Sequence, residues 1–339
     1  MTSLSEPATH ADSISTSPTR LRMLVVMINY RTAELTIDSL RSIADDPDRP
    51  GIRVVVVDNA SGDDSADRIE QAIEREDWQS WCQLVRSETN GGFSAGNNFG
   101  IQRADAEAYL LLNSDTLVRP GAFRTLLETM EQSPEAGLVS PRLEWPDGTP
   151  QVSCFRFFRP STELIRSAVT GPVTRLFSGS DVPWPTDENG GHQPCNPDWT
   201  SFACVLIRRS VIEDVGLMDD GYFMYYDDVD YCRLAKDKGW TVAHCPGAHV
   251  VHLRGGSSSV KSLKQKRQRR PRYYFAARTR YYAKHFGRLG LLRANLYWTL
   301  GFLIANSRRV LGGRRSPHCV AEWRDIWTNF LHPMTGRHR

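Results

Sequence analysis

No unbroken apolar run in the 339-residue chain exceeds six residues, Met23 to Ile28 being one such run, whereas a helix needs roughly 20 to cross a bilayer. No membrane-spanning helix is expected. The first twenty residues hold nine Ser or Thr and two Pro but no apolar stretch suited to the core of a secretory signal, and read as a disordered tail. The seven cysteines (82, 154, 195, 204, 232, 245 and 319) form no Cys-x-x-Cys pair. Their odd number and scatter argue against a disulfide framework and for a reducing, cytoplasmic setting. Acidic residues are missing from a long stretch: residues 254 to 321 contain 17 Lys or Arg and no Asp or Glu, leaving 25 basic against 39 acidic residues elsewhere. An acidic body therefore carries a basic C-terminal region suited to a polyanionic partner. There is no internal repeat of 20 to 50 residues.

The chain is 40% apolar and 24% charged, as a globular chain with a sizeable core should be. From Leu21 to Ala136, short β-branched runs alternate with amphipathic stretches, the signature of a mostly parallel sheet with crossover helices. Strands are expected at Met23 to Ile28, Arg53 to Val57, Gln83 to Val85 and Ala108 to Leu112. Helices are expected at Glu34 to Ile43, Ser65 to Arg75, Ala95 to Gln102 and Gly121 to Ser133, with Thr32 capping the first and Pro120 starting the last. Residues 141 to 198 are rich in Pro, Gly and aromatics and read as loops over a site. Further strands are expected at Ala203 to Ile207, Thr241 to Ala243 and Val250 to Leu253, with a helix from Asp227 to Lys238. Two more helices are expected around Pro271 to Phe286 and Leu289 to Leu311.

Ligands of parallel sheets sit beyond the carboxyl ends of the strands. Four polar segments follow the four expected strands: Asn29-Tyr30-Arg31, Asp58-Asn59-Ala60-Ser61, the run from Asn90 to Asn98, and Asn113-Ser114-Asp115. Singly, each is an ordinary turn. Together they supply a carboxylate for ribose or base hydroxyls, a glycine loop at a helix start for phosphates, and a carboxylate for a cation. The spacing of Gly91, Gly92, Gly96 and Gly100 does not fit the dinucleotide fingerprint, which argues against an NAD enzyme. A second constellation, Asp227-Asp228-Val229-Asp230, opens a helix. The helix dipole alone accounts for acidic residues there, but crowding beside Phe223 to Tyr226 would also tune one of them as a general base. His252 follows a strand and is either structural or a metal ligand.

With these motifs in order, the chain resembles the inverting family 2 glycosyltransferases of the GT-A fold, in the branch of bacterial rhamnosyl- and galactofuranosyltransferases. The resemblance covers roughly residues 22 to 257 and ends with His252 and Ser257. It implies an α/β fold, Rossmann-like, with a mostly parallel central sheet flanked by helices and a basic C-terminal helical extension. Residues 21–140 would form the nucleotide-binding half, 141–257 the acceptor and catalytic half, and 258–339 the extension. It further implies that Asp58 binds the nucleoside, that Asn29, Tyr30, Asn113 and Ser114 join Asn90, Gly92, Phe93, Gly96 and Asn97 in lining the donor cleft, and that Asp115 with His252 holds Mg²⁺ or Mn²⁺ on the diphosphate. Asp228 would be the catalytic base, with Asp227 and Asp230 as secondary or acceptor-side acids.

Two positions depart from the family pattern. The Asp-x-Asp metal motif stands here as Asn113-Ser114-Asp115, leaving one carboxylate, and Phe202-Ala203 replaces the usual Gly-Ala ahead of a strand. The implied reaction moves a sugar from a dTDP- or UDP-linked donor, rhamnose by family analogy, to a hydroxyl of a glycan or polyprenyl-diphosphate-linked glycan. The mixed basic and aromatic residues of 258–315, with Trp298, Phe302 and Leu303 on one helix face, suit an anionic membrane surface. No nucleic-acid module surrounds them, and no nucleic-acid partner is expected. Two competing readings are a sugar nucleotidyltransferase, which would carry a glycine-rich basic loop after the first strand, and a non-catalytic nucleotide-sugar-binding protein.

Overall fold

The computed structural model describes residues 20–49, 51–176, 182–253, 260–312 and 317–335. The tail expected before Leu21 falls almost wholly outside them, as does Ser257. The first half of the chain runs β1 (Leu21–Asn29), α1 (Ala33–Ala44), β2 (Ile52–Asp58), α2 (Ser65–Arg75), β3 (Cys82–Arg86), α3 (Gly92–Ile101) and β4 (Ala106–Asn113). Then come β5 (Thr116–Val118), α4 (Ala122–Gln132), β6 (Ala136–Glu144), β7 (Cys154–Phe155), α5 (Thr162–Ala168), α6 (Gly171–Leu176) and β8 (Trp199–Thr200). The rest comprises β9 (Cys204–Arg208), α7 (Arg209–Val215), α8 (Asp227–Asp237), β10 (Thr241–His252), α9 (Val260–Gln265), α10 (Arg272–Gly312) and α11 (Glu322–Asp325).

Eight strands form one sheet in the order β3-β2-β1-β4-β9-β6-β10-β5. The first four are mutually parallel, β9 runs antiparallel between β4 and β6, β10 lies parallel to β6, and β5 closes the edge antiparallel to β10. Side chains of a strand alternate between faces, and β1 divides accordingly. Met23, Val25 and Met27 enter the core under α1, α2 and α4, whereas Leu24 and Val26 enter the core under α3, α8 and α10. Burial on both faces is why these strands are nearly all apolar. Asn29 pairs with Asp58 and Ile28 with Asn113, so three carboxyl ends finish level on one rim.

The structure departs from the sequence expectations at identifiable places. β6 is a central strand with Leu138 and Val139 fully buried, but Gly137, Pro141 and Arg142 break the apolar run that would have announced it. β10 is one strand where two were expected, its register shifting between Cys245 and His249 around Pro246-Gly247. Thr32 occupies the N-cap of α1 without a side-chain cap bond; its hydroxyl goes to Asn29 Oδ1 and Ser114 Oγ instead. Pro120 precedes α4 by two residues, Gly121 being the N-cap. Residues 141 to 198 also contain α5, which packs on α10 so closely that a Cβ on Gly301 would lie 2.1 Å from Ser167 Oγ.

α10 breaks at Gly287 (φ 68°, ψ −177°), the junction between the two helices expected there. Arg278 Nη1 donates to Asn295 Oδ1 at 2.7 Å across this break, so the two halves fold back on each other. The first half is interior: Tyr274, Phe275, Tyr281 and Tyr282 are buried in the same core as β1 and β4. Burial opposes ionisation of Glu163, but Arg278 and Arg166 hold its carboxyl below the usual range. Glu163→Gln leaves Arg278 buried with a weakened partner and is expected to lower stability by about 3 kcal/mol in urea denaturation. A change under about 1 kcal/mol would show the pair to be dispensable. Among the described residues no helix is long and apolar enough to cross a membrane.

Candidate active site

The β1 and β2 loops are laced together at the rim. Asn29, fully buried, donates from Nδ2 to Asp58 Oδ1 (2.7 Å) and Ser61 Oγ (3.1 Å), and its Oδ1 accepts from Thr32 and Thr36. Asp58 also accepts from the Ser61 hydroxyl (2.5 Å) and backbone N–H (3.2 Å). Asn29 is therefore spent on holding Asp58 and the loop, a cost in donor-binding capacity that residue type alone does not reveal. Tyr30 stays partly exposed, its ring 5.2 Å from the Arg31 guanidinium carbon. Ser114 is buried and tied to Thr32, and Asn113 is partly exposed.

The glycine run serves close packing. α3 begins at Gly92, three residues before the expected Ala95. Gly92 has φ +84°, and a Cβ there would fall 2.0 Å from the Phe223 carbonyl oxygen. A Cβ on Gly100 would fall 2.3 Å from Val26 Cγ1. The first amides of α3, which a phosphate would use, are taken: Gly92 N–H donates to Asn90 Oδ1 (3.0 Å) and Phe93 N–H to Phe223 O (2.7 Å). Asn97, 1% exposed, bonds back to Phe93 O, and Gly96 lies against Ile28 and Asn59. Strain and clash together predict that Gly92→Ala loses about 3 kcal/mol of stability, read by urea denaturation. A loss below about 0.5 kcal/mol would show that the close approach is not needed.

The Phe93–Phe223 bond joins this loop to the start of α8. Asn98 adds a second tie, donating to Met218 O (2.8 Å) and accepting from Met218 N–H (3.0 Å). Tyr225 and Tyr226 enter α8 at φ 71° and 63°, a left-handed turn costing about 1 kcal/mol or more per residue. It persists because Tyr226 is buried among Phe158, Tyr274 and Tyr281 and its hydroxyl accepts from Arg166 (3.1 Å).

The three acids that follow have different surroundings. Asp227 is 6% exposed, its Oδ2 has no hydrogen-bond partner among the described residues, and burial pushes its carboxyl up to about 7. Asp228 is partly exposed. Asp230 is buried and turned toward α10, where Lys284 and His285, together with Tyr222 from the loop before α8, take up its oxygens; it is not open to an acceptor. Asp227 holds a proton in the folded state that the unfolded chain releases near 3.8. The stability it contributes is therefore present below that pH and lost as pH rises toward 7. Asp227→Asn should flatten this fall and raise Tm at pH 8 by about 5 °C. An unchanged Tm–pH curve would refute the assignment.

β10 brings His252 opposite Thr116 of β5, one residue past Asp115. Asp115 Oδ1 and His252 Nε2 are 3.6 Å apart and both side chains are nearly buried. That is beyond a hydrogen bond but within the range for two ligands of one ion, each about 2.1 Å from it. His252 Nδ1 has no hydrogen-bond partner among the described residues. Gln151, which no sequence signal marked, supports this point by donating to His252 O at 2.7 Å. The residues fit a divalent ion held by two side chains and a ligand's phosphates; among the described residues no cluster of three or more acidic, His or Cys side chains could do so unaided.

A sheet whose leading βαβ units end in level polar loops, faced by an acidic helix start and a buried Asp–His pair, defines the GT-A glycosyltransferase class. Solved structures share the fold. A mannosyltransferase from Pyrobaculum calidifontis, in complex with GDP-Man and Mn²⁺, superposes with TM-score 0.55 at 16% identity, covering 88% of this chain and 78% of its own. GalNAc-T7 with UDP, GalNAc and Mn²⁺ gives 0.54 at 14% identity, covering 93% and 59%. The Glycosyl transferase family 2 model matches residues 24–177 and the Glycosyltransferase like family 2 model residues 197–276. The N-acetylglucosaminyl-diphospho-decaprenol L-rhamnosyltransferase of Mycobacterium tuberculosis is 28% identical over 81% of this chain and 88% of its own length. The low-salt glycan biosynthesis hexosyltransferase Agl10 of Haloferax volcanii is 25% identical over 67% and 66%. The chain belongs to glycosyltransferase family 2, in its rhamnosyltransferase-like branch, and is a glycosyltransferase. The nucleotidyltransferase and non-catalytic readings are not favoured.

Proposed function

We propose that the chain transfers a sugar, rhamnose or a related deoxysugar, from a dTDP- or UDP-linked donor to a hydroxyl of a polyprenyl-diphosphate-linked glycan in cell-surface polysaccharide synthesis. The name of the Mycobacterium tuberculosis relative supports the sugar and the acceptor class, and that of the Haloferax volcanii relative supports glycan synthesis. The observation that carries the reading is the bond from Phe93 N–H to Phe223 O, because it ties the segment leading into the acidic start of α8 to the loop after β3, whose end is level with that of β2. Residues 21–140 then hold the donor and 141–257 the acceptor, with 258–339 buttressing both.

Tyr30, Asp58 and Asn113 meet the nucleoside and sugar, and Asp115 with His252 holds Mg²⁺ or Mn²⁺. When bound, that ion offsets charge on the departing diphosphate. Asp228 takes the proton from the acceptor hydroxyl as it attacks the anomeric carbon in line, which inverts that centre. Exposure selects Asp228 over Asp227, since an acceptor must reach the base. Incubating the full chain with dTDP-rhamnose or UDP-sugars, Mn²⁺ and a GlcNAc-diphosphate polyprenol tests this. Mass gain with an inverted anomeric centre by NMR is expected; a retained centre would overturn the mechanism.

The acceptor class also calls for contact with the cytoplasmic face of a membrane. The face sketched from the sequence needs correction, since Trp298 is 4% exposed and stacks on Phe302. Instead Leu289, Leu296, Leu300 and Leu303 are 48% to 71% exposed along the second half of α10, with Arg288 and Arg293 exposed beside them. A peripheral apolar row flanked by cations suits anionic lipid. Leu296→Asp with Leu300→Asp should cut flotation with phosphatidylglycerol vesicles about tenfold. Unchanged flotation would refute the face.

A further inference from the structure

The basic C-terminal helix is bound to the acidic start of α8 by a partly buried cluster centred on the buried Asp230. Lys284 Nζ lies 2.7 Å from Asp230 Oδ2 and 3.1 Å from Asp219 Oδ2. His285 Nε2 lies 2.7 Å from Asp230 Oδ1, which also accepts from the Tyr222 hydroxyl at 3.0 Å. Arg280 grips Asp219 with two nitrogens at 2.7 and 3.0 Å. Gly221 admits the Arg280 guanidinium, because a Cβ there would lie 2.2 Å from Arg280 Cζ. Asp219 and Asp230 bracket the turn that bears Asp227 and Asp228, so α10 holds both ends of the acidic segment.

We infer that Lys284 and His285 are positioning residues that fix Asp228 through Asp230, making the C-terminal helix an integral part of the active site. This rests on Asp228 being the base. The left-handed turn at Tyr225 and Tyr226 gives the inference its physical need: a strained segment keeps its geometry only while its surroundings over-determine it. Charge-assisted hydrogen bonds in a buried setting do so strongly. Without Lys284, Asp230 keeps a carboxylate in a poorly solvated place with one cation fewer, and the first turn of α8 shifts. Misplacement of a reacting group by about 1 Å costs about a hundred-fold in rate.

The test uses the full chain carrying Lys284→Met, Lys284→Arg, His285→Gln, Asp230→Asn and the Asp230→Asn/Lys284→Met pair. Rates are expressed per folded molecule, counted by circular dichroism, and amide exchange is followed across residues 222–232. Lys284→Met is expected to lower kcat about 30-fold with donor KM within about twofold, and to raise exchange in the first turn of α8 but not in β1. Lys284→Arg should restore most of the rate. The double variant should be no slower than the slower single one, since both remove one contact. A kcat per folded molecule within about threefold of wild type, or equal loss in kcat and donor affinity, would overturn the inference. Asp228→Asn run in parallel separates this from the base assignment: if that variant keeps full activity, the base assignment fails, whatever Lys284 does.

Discussion

Asp228→Asn lowers the transfer rate by about a thousand-fold, while the Kd for UDP or dTDP with Mn²⁺ stays within about twofold of wild type. The amide keeps the size and a hydrogen-bonding oxygen but cannot accept the acceptor's proton. Because that proton moves only in the transition state, the loss falls on kcat and leaves ground-state donor binding intact. Asp227→Asn is the control that discriminates between the adjacent acids. Asp227 has the carboxyl raised to about 7, a value well suited to a base near neutral pH, but it is buried at 6% exposure, whereas Asp228 is partly exposed and is the better presented to an acceptor hydroxyl. Rate loss in Asp227→Asn larger than in Asp228→Asn would reverse the assignment.

The second large effect is at the Asp–His pair. Asp115→Asn removes the single carboxylate that stands where the family has two, and is expected to weaken Mn²⁺-dependent binding of the nucleoside diphosphate about a hundred-fold. Binding without metal changes little, so the two curves converge in this variant. His252→Ala produces the same convergence more weakly, since a neutral imidazole supplies a ligand but no charge. Isothermal titration with and without EDTA reads both. Equal loss of binding in the presence and absence of metal would show that Asp115 contacts the nucleotide or merely supports the β4 to β5 turn.

The parallel half of the fold was legible because its strands are buried on both faces and so read as uninterrupted β-branched runs, Val54 to Val57 most plainly. β6 was not, since Pro141 and Arg142 interrupt it and its burial depends on β9 and β10 far along the chain. The same distinction governs the site. Asp115, His252, Asp228 and the polar rim residues announce themselves by type and by following strands or opening a helix. Whether such a group is available is a tertiary matter: Asn29 is consumed by Asp58, Ser61, Thr32 and Thr36, and Asp230 by α10. The glycine run shows the limit of residue-type reasoning. Read as a phosphate cradle, it instead admits Phe223 and Val26 against α3.

Lys284 and His285 were hidden inside a run of basic and aromatic residues whose evenness suggested a lipid surface. In the fold that run separates into buried residues, Phe275, Tyr281 and Tyr282 among them, and leucines on the second half of α10 that face outward. A chain ending before α10 would lose Tyr281, Tyr282 and Phe275 from the core that covers β1. Point substitutions on the outer face therefore probe membrane contact where truncation would not.

The most direct test of a metal-assisted nucleotide-sugar site is the thermal stability of the full chain with UDP, dTDP, GDP and NAD, each with and without Mn²⁺, for wild type and Asp115→Asn. A ligand that binds the folded state alone raises Tm, by an amount that grows with the logarithm of its concentration relative to Kd. One nucleoside diphosphate is expected to stabilise the wild type only when Mn²⁺ is present, NAD is expected not to, and Asp115→Asn is expected to lose the Mn²⁺-dependent part. Equal stabilisation with and without Mn²⁺ would contradict such a site, as would no shift with any nucleoside diphosphate.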